Sequence, residues 1–197
     1  MTNLDSIIQD AKDAFCIYPK IDIKWVKDHE TIQGRTNIKN EITLVLDPKI
    51  MENKDDTIVS RIRYVIYHEF VHAKESHTKY SFIRGVLFAL SLMALGMGMI
   101  FATKGLFRVF GVVIIYSYSL FYIWYPFWCF ENELRADRGA LAQLLKENRL
   151  EEIKHILGAL SINGDNYTSS GHPKRKKEME NMLSFLEKKG YIFEISK

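Results

Sequence analysis

Two histidines four residues apart, with a glutamate beside the first, give the chain its best equipment for chemistry: His68-Glu69-Phe70-Val71-His72. In an α-helix, side chains at i and i+4 lie on one face, so both imidazoles can converge on a single metal ion. Glu69 is then placed to act as a base toward an attacking water. A zinc ion used for hydrolysis takes three protein ligands and keeps a fourth position open. The pattern points to zinc-assisted hydrolysis of an amide, and it requires a third ligand from elsewhere in the chain.

That ligand is expected in Glu131-Asn132-Glu133-Leu134-Arg135-Ala136-Asp137. Glu133 and Asp137 share a helical face. One carboxylate there completes a two-histidine, one-carboxylate set, and the other can hold a ligating imidazole by its far N–H. By spacing alone, Glu131 competes with Glu133 for the ligand position.

The elements that must position these groups follow from hydrophobic periodicity. Leu4, Ile7, Ile8, Ala11 and Phe15 recur at helical spacing, and Pro19 closes that segment. Ile21, Ile23 and Trp25 alternate with polar residues, as do Ile42, Leu44 and Leu46. With an extended piece over residues 31–36 and a turn at residues 37–40, they predict a small antiparallel sheet. A free edge of that sheet could take an extended peptide as an added strand. Asp55 or Asp56 caps a helix that runs to about His77 and carries the two imidazoles. Ile58, Ile62, Val65, Ile66 and Phe70 form its core face.

Beyond that helix the charges stop. Residues 85–102 and 109–130 are uncharged runs of 18 and 22 residues, each close to the ~30 Å hydrocarbon thickness of a bilayer at ~1.5 Å per helical residue. Lys104 and Arg108 flank the link between them, and Trp124, Tyr125 and Trp128 cluster where an interfacial belt would sit. Gly85 and Ala89, then Ala94, Gly98 and Ala102, suggest a small-residue packing face. The expectation is a two-helix transmembrane hairpin over residues 82–130, with spans at about 84–103 and 109–130. Of 27 Lys and Arg only two lie in the far loop, which favours a cytoplasmic main body. Further helices are expected at residues 131–146, 150–161 and 174–189, then a short strand at residues 191–195.

An H-E-x-x-H helix, an apolar hairpin, E-x-x-A-D opening a helix, and His172-Pro173 further on resemble the HtpX and CAAX-prenyl-protease family of membrane zinc metallopeptidases. The likeness covers about residues 55–175, and residues 68–77 fit the family's longer helix motif. It implies a mainly helical α+β, zincin-like peptidase domain built from residues 1–81 and 131–197 and interrupted by the hairpin. It also implies one Zn²⁺ held by His68, His72 and Glu133, with Asp137 behind a ligand, Glu69 as general base and His172 steadying the oxyanion. The strand ending near Gly34 is similar to the family's substrate-side edge strand. The family places an arginine six residues beyond its His-Pro histidine; here that position is Glu178, with Arg175 as the nearest substitute. Members usually carry transmembrane helices ahead of the motif, and residues 1–67 hold no such run.

Composition narrows the field. A net charge of +3, with no basic stripe interleaved with aromatics, gives no case for nucleic-acid binding. Cys16 and Cys129 support neither a disulfide framework nor a cysteine metal site. The polar, acidic N-terminus does not read as a signal peptide. His77 is expected to pack or cap the helix end rather than bind metal. The reading is a membrane-anchored zinc metalloendopeptidase, multi-pass, in the cell membrane if bacterial, acting at the bilayer on membrane proteins or membrane-tethered peptides. The competing reading is an inactive membrane zinc module that binds or senses a partner. Glu69 argues for the enzyme, because a purely binding site has no use for that carboxylate.

Overall fold

Leu4, Ile7, Ile8, Ala11 and Phe15 are the buried face of α1 (Leu4–Phe15), as their spacing predicts. The computed structural model describes residues 4–27, 32–52, 55–102 and 104–162, together with Lys177, Glu180, Asn181, Met182, Ser184, Phe185 and Lys188, all helical. Cys16 follows α1 in the left-handed conformation, with φ of 54°, and turns the chain into β1 (Ile21–Trp25).

Two further strands, β2 (Gln33–Thr36) and β3 (Ile42–Leu46), complete a three-stranded sheet of order β1-β3-β2. The sheet is mixed, which corrects the antiparallel expectation. β2 and β3 pair antiparallel across the turn, whereas β1 pairs parallel with β3. Alternation along a strand fixes which side chains face the core, but not the neighbour or its direction. The β2–β3 turn is built by Asn37, whose Oδ1 accepts from the N–H groups of Lys39 and Glu41 at 2.8 and 3.0 Å. Ile42, Leu44 and Leu46 are each 1% exposed and form the sheet's core face. At Asp47-Pro48 the strand gives way to a short helix, α2 (Pro48–Glu52), that periodicity does not reveal.

The central element is α3 (Asp56–Glu75). Its N-cap is Asp55, whose side chain accepts from Thr57 N–H. Ile62, Ile66 and Phe70 are fully buried beneath the sheet and α1. Tyr67 packs edge-on against Phe15 with ring centroids 5.5 Å apart. Fully burying side chains of this size stabilises the fold by about 1.5–3 kcal/mol each. α3 ends at Ser76, which adopts the left-handed conformation, and α4 (His77–Ala102) begins immediately.

α5 (Leu106–Lys146) is a single helix of 41 residues. The expectation of a separate helix opening at Glu131 is therefore corrected: E-x-x-A-D continues the second apolar run without a break. The link between α4 and α5 is also shorter than the Lys104–Arg108 flanks suggest, because Leu106 is already helical. The first half of α5 lies along α4 and its last turns along α3.

Gly96 and Gly111 set the α4–α5 approach. A Cβ on Gly111 would stand 2.7 Å from the Gly96 carbonyl oxygen. Of the expected small-residue face, Gly85 is buried and Ala89 half-buried, whereas Ala94, Gly98 and Ala102 are exposed, and Gly96 packs in their place. Among the described residues, Phe82–Ala102 is long and apolar enough to cross a membrane, and 11% of its apolar window is buried. The side chains of residues 115–130, including Trp124, Tyr125 and Trp128, lie outside the described residues, so the second span is not tested by burial.

α6 (Leu150–Ile162) returns across α3. The helices join around Arg63, 8% exposed, whose guanidinium donates to Asp10 of α1 at 2.7 Å and forms an ion pair with Glu152 of α6 at 3.0 Å. Removing one partner of a fully buried pair costs about 3–5 kcal/mol. Here the two carboxylates keep 39% and 20% of their side-chain exposure, which screens the remaining charge. Arg63→Ala is expected to lower stability by about 1–3 kcal/mol in chemical denaturation, and an unchanged midpoint would show that α1 and α6 dock without it.

Candidate metal centre and catalytic site

Helical periodicity brings His68 and His72 to one face of α3, and both are buried, at 7% exposure each. Their Nε2 atoms are 3.1 Å apart. α5 supplies the third group: Glu133 Oε2 lies 3.2 Å from His68 Nε2, and Glu133 Oε1 lies 3.3 Å from His72 Nε2. Among the described residues these three form the one group of histidine, cysteine and acidic side chains that could hold a metal ion. Glu131, the rival by spacing, pairs with Arg135 on the exposed side of α5.

The contact between the two nitrogens has the length a metal requires. Two donors each roughly 2.0–2.1 Å from a tetrahedral ion stand about 3.3 Å apart. The two imidazole nitrogens, 3.1 Å apart, match that edge, and Glu133 offers Oε2 to one and Oε1 to the other at 3.2 and 3.3 Å, with one donor atom from each of the three residues within 4.8 Å of the others. Two nitrogens and a carboxylate oxygen are also the donor set of a zinc hydrolase.

Each imidazole is fixed by its far nitrogen. His68 Nδ1 lies 2.8 Å from Asp137 Oδ1, an ion-pair contact, and the same oxygen accepts from Tyr64 Oη at 2.6 Å. His72 Nδ1 meets His77 Nδ1 at 3.1 Å, and His77 Nε2 reaches Glu75 Oε2 at 2.6 Å. Burial pushes the His77 imidazole down. In its neutral form it can accept from His72 and donate to Glu75 at once. His77 thus does more than pack the helix end: it orients a ring of the metal group. The left-handed Ser76 between the two helices brings the rings together, so the five-residue spacing by itself carried no signal of it.

Glu69 is 6% exposed and points toward the sheet. Its Oε2 accepts from Thr36 Oγ1 at 2.7 Å. Gly34 lies so close that an added Cβ would overlap Glu69 Cγ and stand 2.9 Å from its Oε1. Nothing in the sequence foreshadows this pairing, because 33 residues separate Thr36 from Glu69. His172 and Arg175 lie outside the described residues.

Electrostatics bind the trio together. Burial would push the His68 imidazole down, but hydrogen bonds to Asp137 and Glu133, and the charges of Asp137 and Glu69, outweigh it and raise its pKa to about 10. Burial would likewise raise the Glu133 carboxyl. His68 and His72 overcome that and hold it well below the carboxylate range. A folded-state pKa above the ordinary histidine value means this contact stabilises the metal-free fold fully below about pH 6.5, and that the contribution is lost as pH rises through about 10. Metal coordination needs the neutral ring. Zinc uptake near neutral pH is therefore expected to expel about one proton, and affinity to rise about tenfold per pH unit between about 7 and 9. Calorimetry in buffers of different ionisation enthalpy reads the proton directly, and a pH-independent affinity would contradict the assignment.

The sequence profile of peptidase family M48 matches residues 43–184. No curated protein and no solved structure matches.

Proposed function

The chain belongs to peptidase family M48, and on that footing we propose that it is a membrane-anchored zinc metalloendopeptidase. The observation that carries the proposal is the convergence of His68 Nε2, His72 Nε2 and the Glu133 carboxylate, in contact at 3.1–3.3 Å, beside a buried Glu69. His68 Nε2, His72 Nε2 and a Glu133 oxygen would hold the ion, with Asp137 and His77 fixing the two rings. When bound, zinc supplies Lewis acidity toward the scissile carbonyl and the attacking water. Glu69 takes the proton from that water and passes it to the leaving amine, as base and then acid. His172 is assigned to the developing oxyanion. β2 lies at the sheet edge against Glu69, which supports binding of an extended substrate as a further strand.

The substrates proposed are membrane proteins or membrane-tethered peptides. Phe82–Ala102 is apolar and largely unburied, and α5 carries a second uncharged run of 22 residues, 109–130. Glu133 follows that run by three residues on the same helix, so the ion would sit within about 5 Å of the end of the apolar segment along the axis. Both spans, and a cytoplasmic main body from the Lys and Arg distribution, belong to this reading.

Glu69→Gln is expected to lower cleavage of casein or of the chain itself by at least about 100-fold while zinc content stays at one per chain. Undiminished cleavage in that variant would remove the enzyme reading and leave a binding module. His77→Ala is expected to weaken zinc about 10- to 100-fold in competition with a chelator. An unchanged affinity would reduce His77 to packing.

A further inference from the structure

The base of a hydrolase must present one defined oxygen to the water and then to the leaving group, yet a glutamate carboxylate on three rotatable bonds has many ways to miss. Thr36 and Gly34 bear on this freedom from an element that carries no other part of the site. Thr36 is 6% exposed, and its Oγ1 lies 2.7 Å from Glu69 Oε2 and 3.1 Å from the Glu69 carbonyl oxygen. Gly34, two residues earlier on the same face of β2, leaves room only for the Glu69 side chain in its present course. Among the described residues, Glu69 Oε1 accepts no hydrogen bond, so the two oxygens are unequal: one is held by the strand and the other is available.

We infer that Thr36 is a positioning residue for Glu69: its hydroxyl holds Oε2 against β2 and leaves Oε1 as the oxygen that takes the water's proton and delivers it to the leaving nitrogen. The inference rests on the peptidase reading of this site. A hydroxyl suits the task because it has one donor and two acceptor lone pairs and rotates freely. It donates to the carboxylate while Glu69 is ionised. When Glu69 carries the proton, the same hydroxyl can turn to the Glu69 carbonyl without moving a heavy atom. The arrangement also couples substrate to base. A peptide added along the free edge of β2 orders the strand that holds Glu69, so binding and alignment of the base share one element.

The test compares the zinc-loaded full chain with Thr36→Val, which keeps the shape and removes the hydroxyl, Thr36→Ser, which keeps the hydroxyl, and Thr36→Ala, which avoids any new contact. With casein as substrate, Val and Ala are expected to lower kcat about tenfold or more, with KM within about twofold and zinc content unchanged, and Ser to restore kcat to within about threefold. Crystal structures of the same proteins are expected to show the Glu69 carboxylate detached from β2 in Val and Ala and in place in Ser. Wild-type kcat in both Val and Ala, a Ser variant as impaired as Val, or an unmoved carboxylate in Val and Ala would each overturn the inference. The crystal structures decide it even if Glu69→Gln proves as active as wild type, an outcome that strikes the peptidase reading instead.

Discussion

Everything in this molecule depends on how closely α3 and α5 cross. The two helices bring together two imidazole nitrogens of α3 and the two oxygens of one α5 carboxylate, with contacts of 3.1–3.3 Å between the residues. Such closeness is costly without a partner: two buried imidazoles and a carboxylate lose their hydration and must satisfy one another. Gly139 permits the approach, since a Cβ there would stand 2.7 Å from Val71 Cγ2 on α3. Ala136 and Ala140, both fully buried, keep the same face of α5 small. A larger side chain in this row would move Glu133 away from the histidines, and the convergence would be lost.

Around that crossing, the two histidines and Glu69 are each braced from a different direction. Tyr64 and Asp137 hold His68, the Glu75–His77 pair holds His72, and β2 holds Glu69. The braces come from α3 itself, the start of α4, α5 and the sheet, so the core that stabilises the domain also aligns the site. Arg63 joins α1, α3 and α6 on the far side and keeps α3 from shifting as a rigid rod. The continuity of α5 adds a further constraint. Because one helix runs from the apolar segment through Glu133 to Lys146, the ligand's height above that segment is fixed by helical rise rather than by a loop.

The sequence made the local features legible because they rest on near-neighbour geometry. The buried face of α1, the Asp55 cap, the core face of α3 and the i, i+4 imidazole pair all depend on residues within a few turns of one another. Two local readings failed for identifiable reasons. Charge returning at Glu131 looked like a helix start, but charge reports the solvent a residue meets and not whether the backbone hydrogen bonds continue. Of the expected small-residue face, Gly85 is buried, but Ala94, Gly98 and Ala102 are exposed, and it is Gly96 that meets Gly111 of α5.

By itself, then, the sequence determined the histidine pair, its neighbouring carboxylate, the acidic pair near residue 133 and the apolar runs between them, since each is written in spacing along one helix. Only the tertiary structure decided that Glu133 and not Glu131 meets the histidines, that β1 runs parallel to β3, and that Thr36 and Gly34 of an edge strand hold Glu69. Those outcomes depend on which faces of separate elements meet, and that is set by packing between residues 21 to 65 positions apart, where no periodicity reaches.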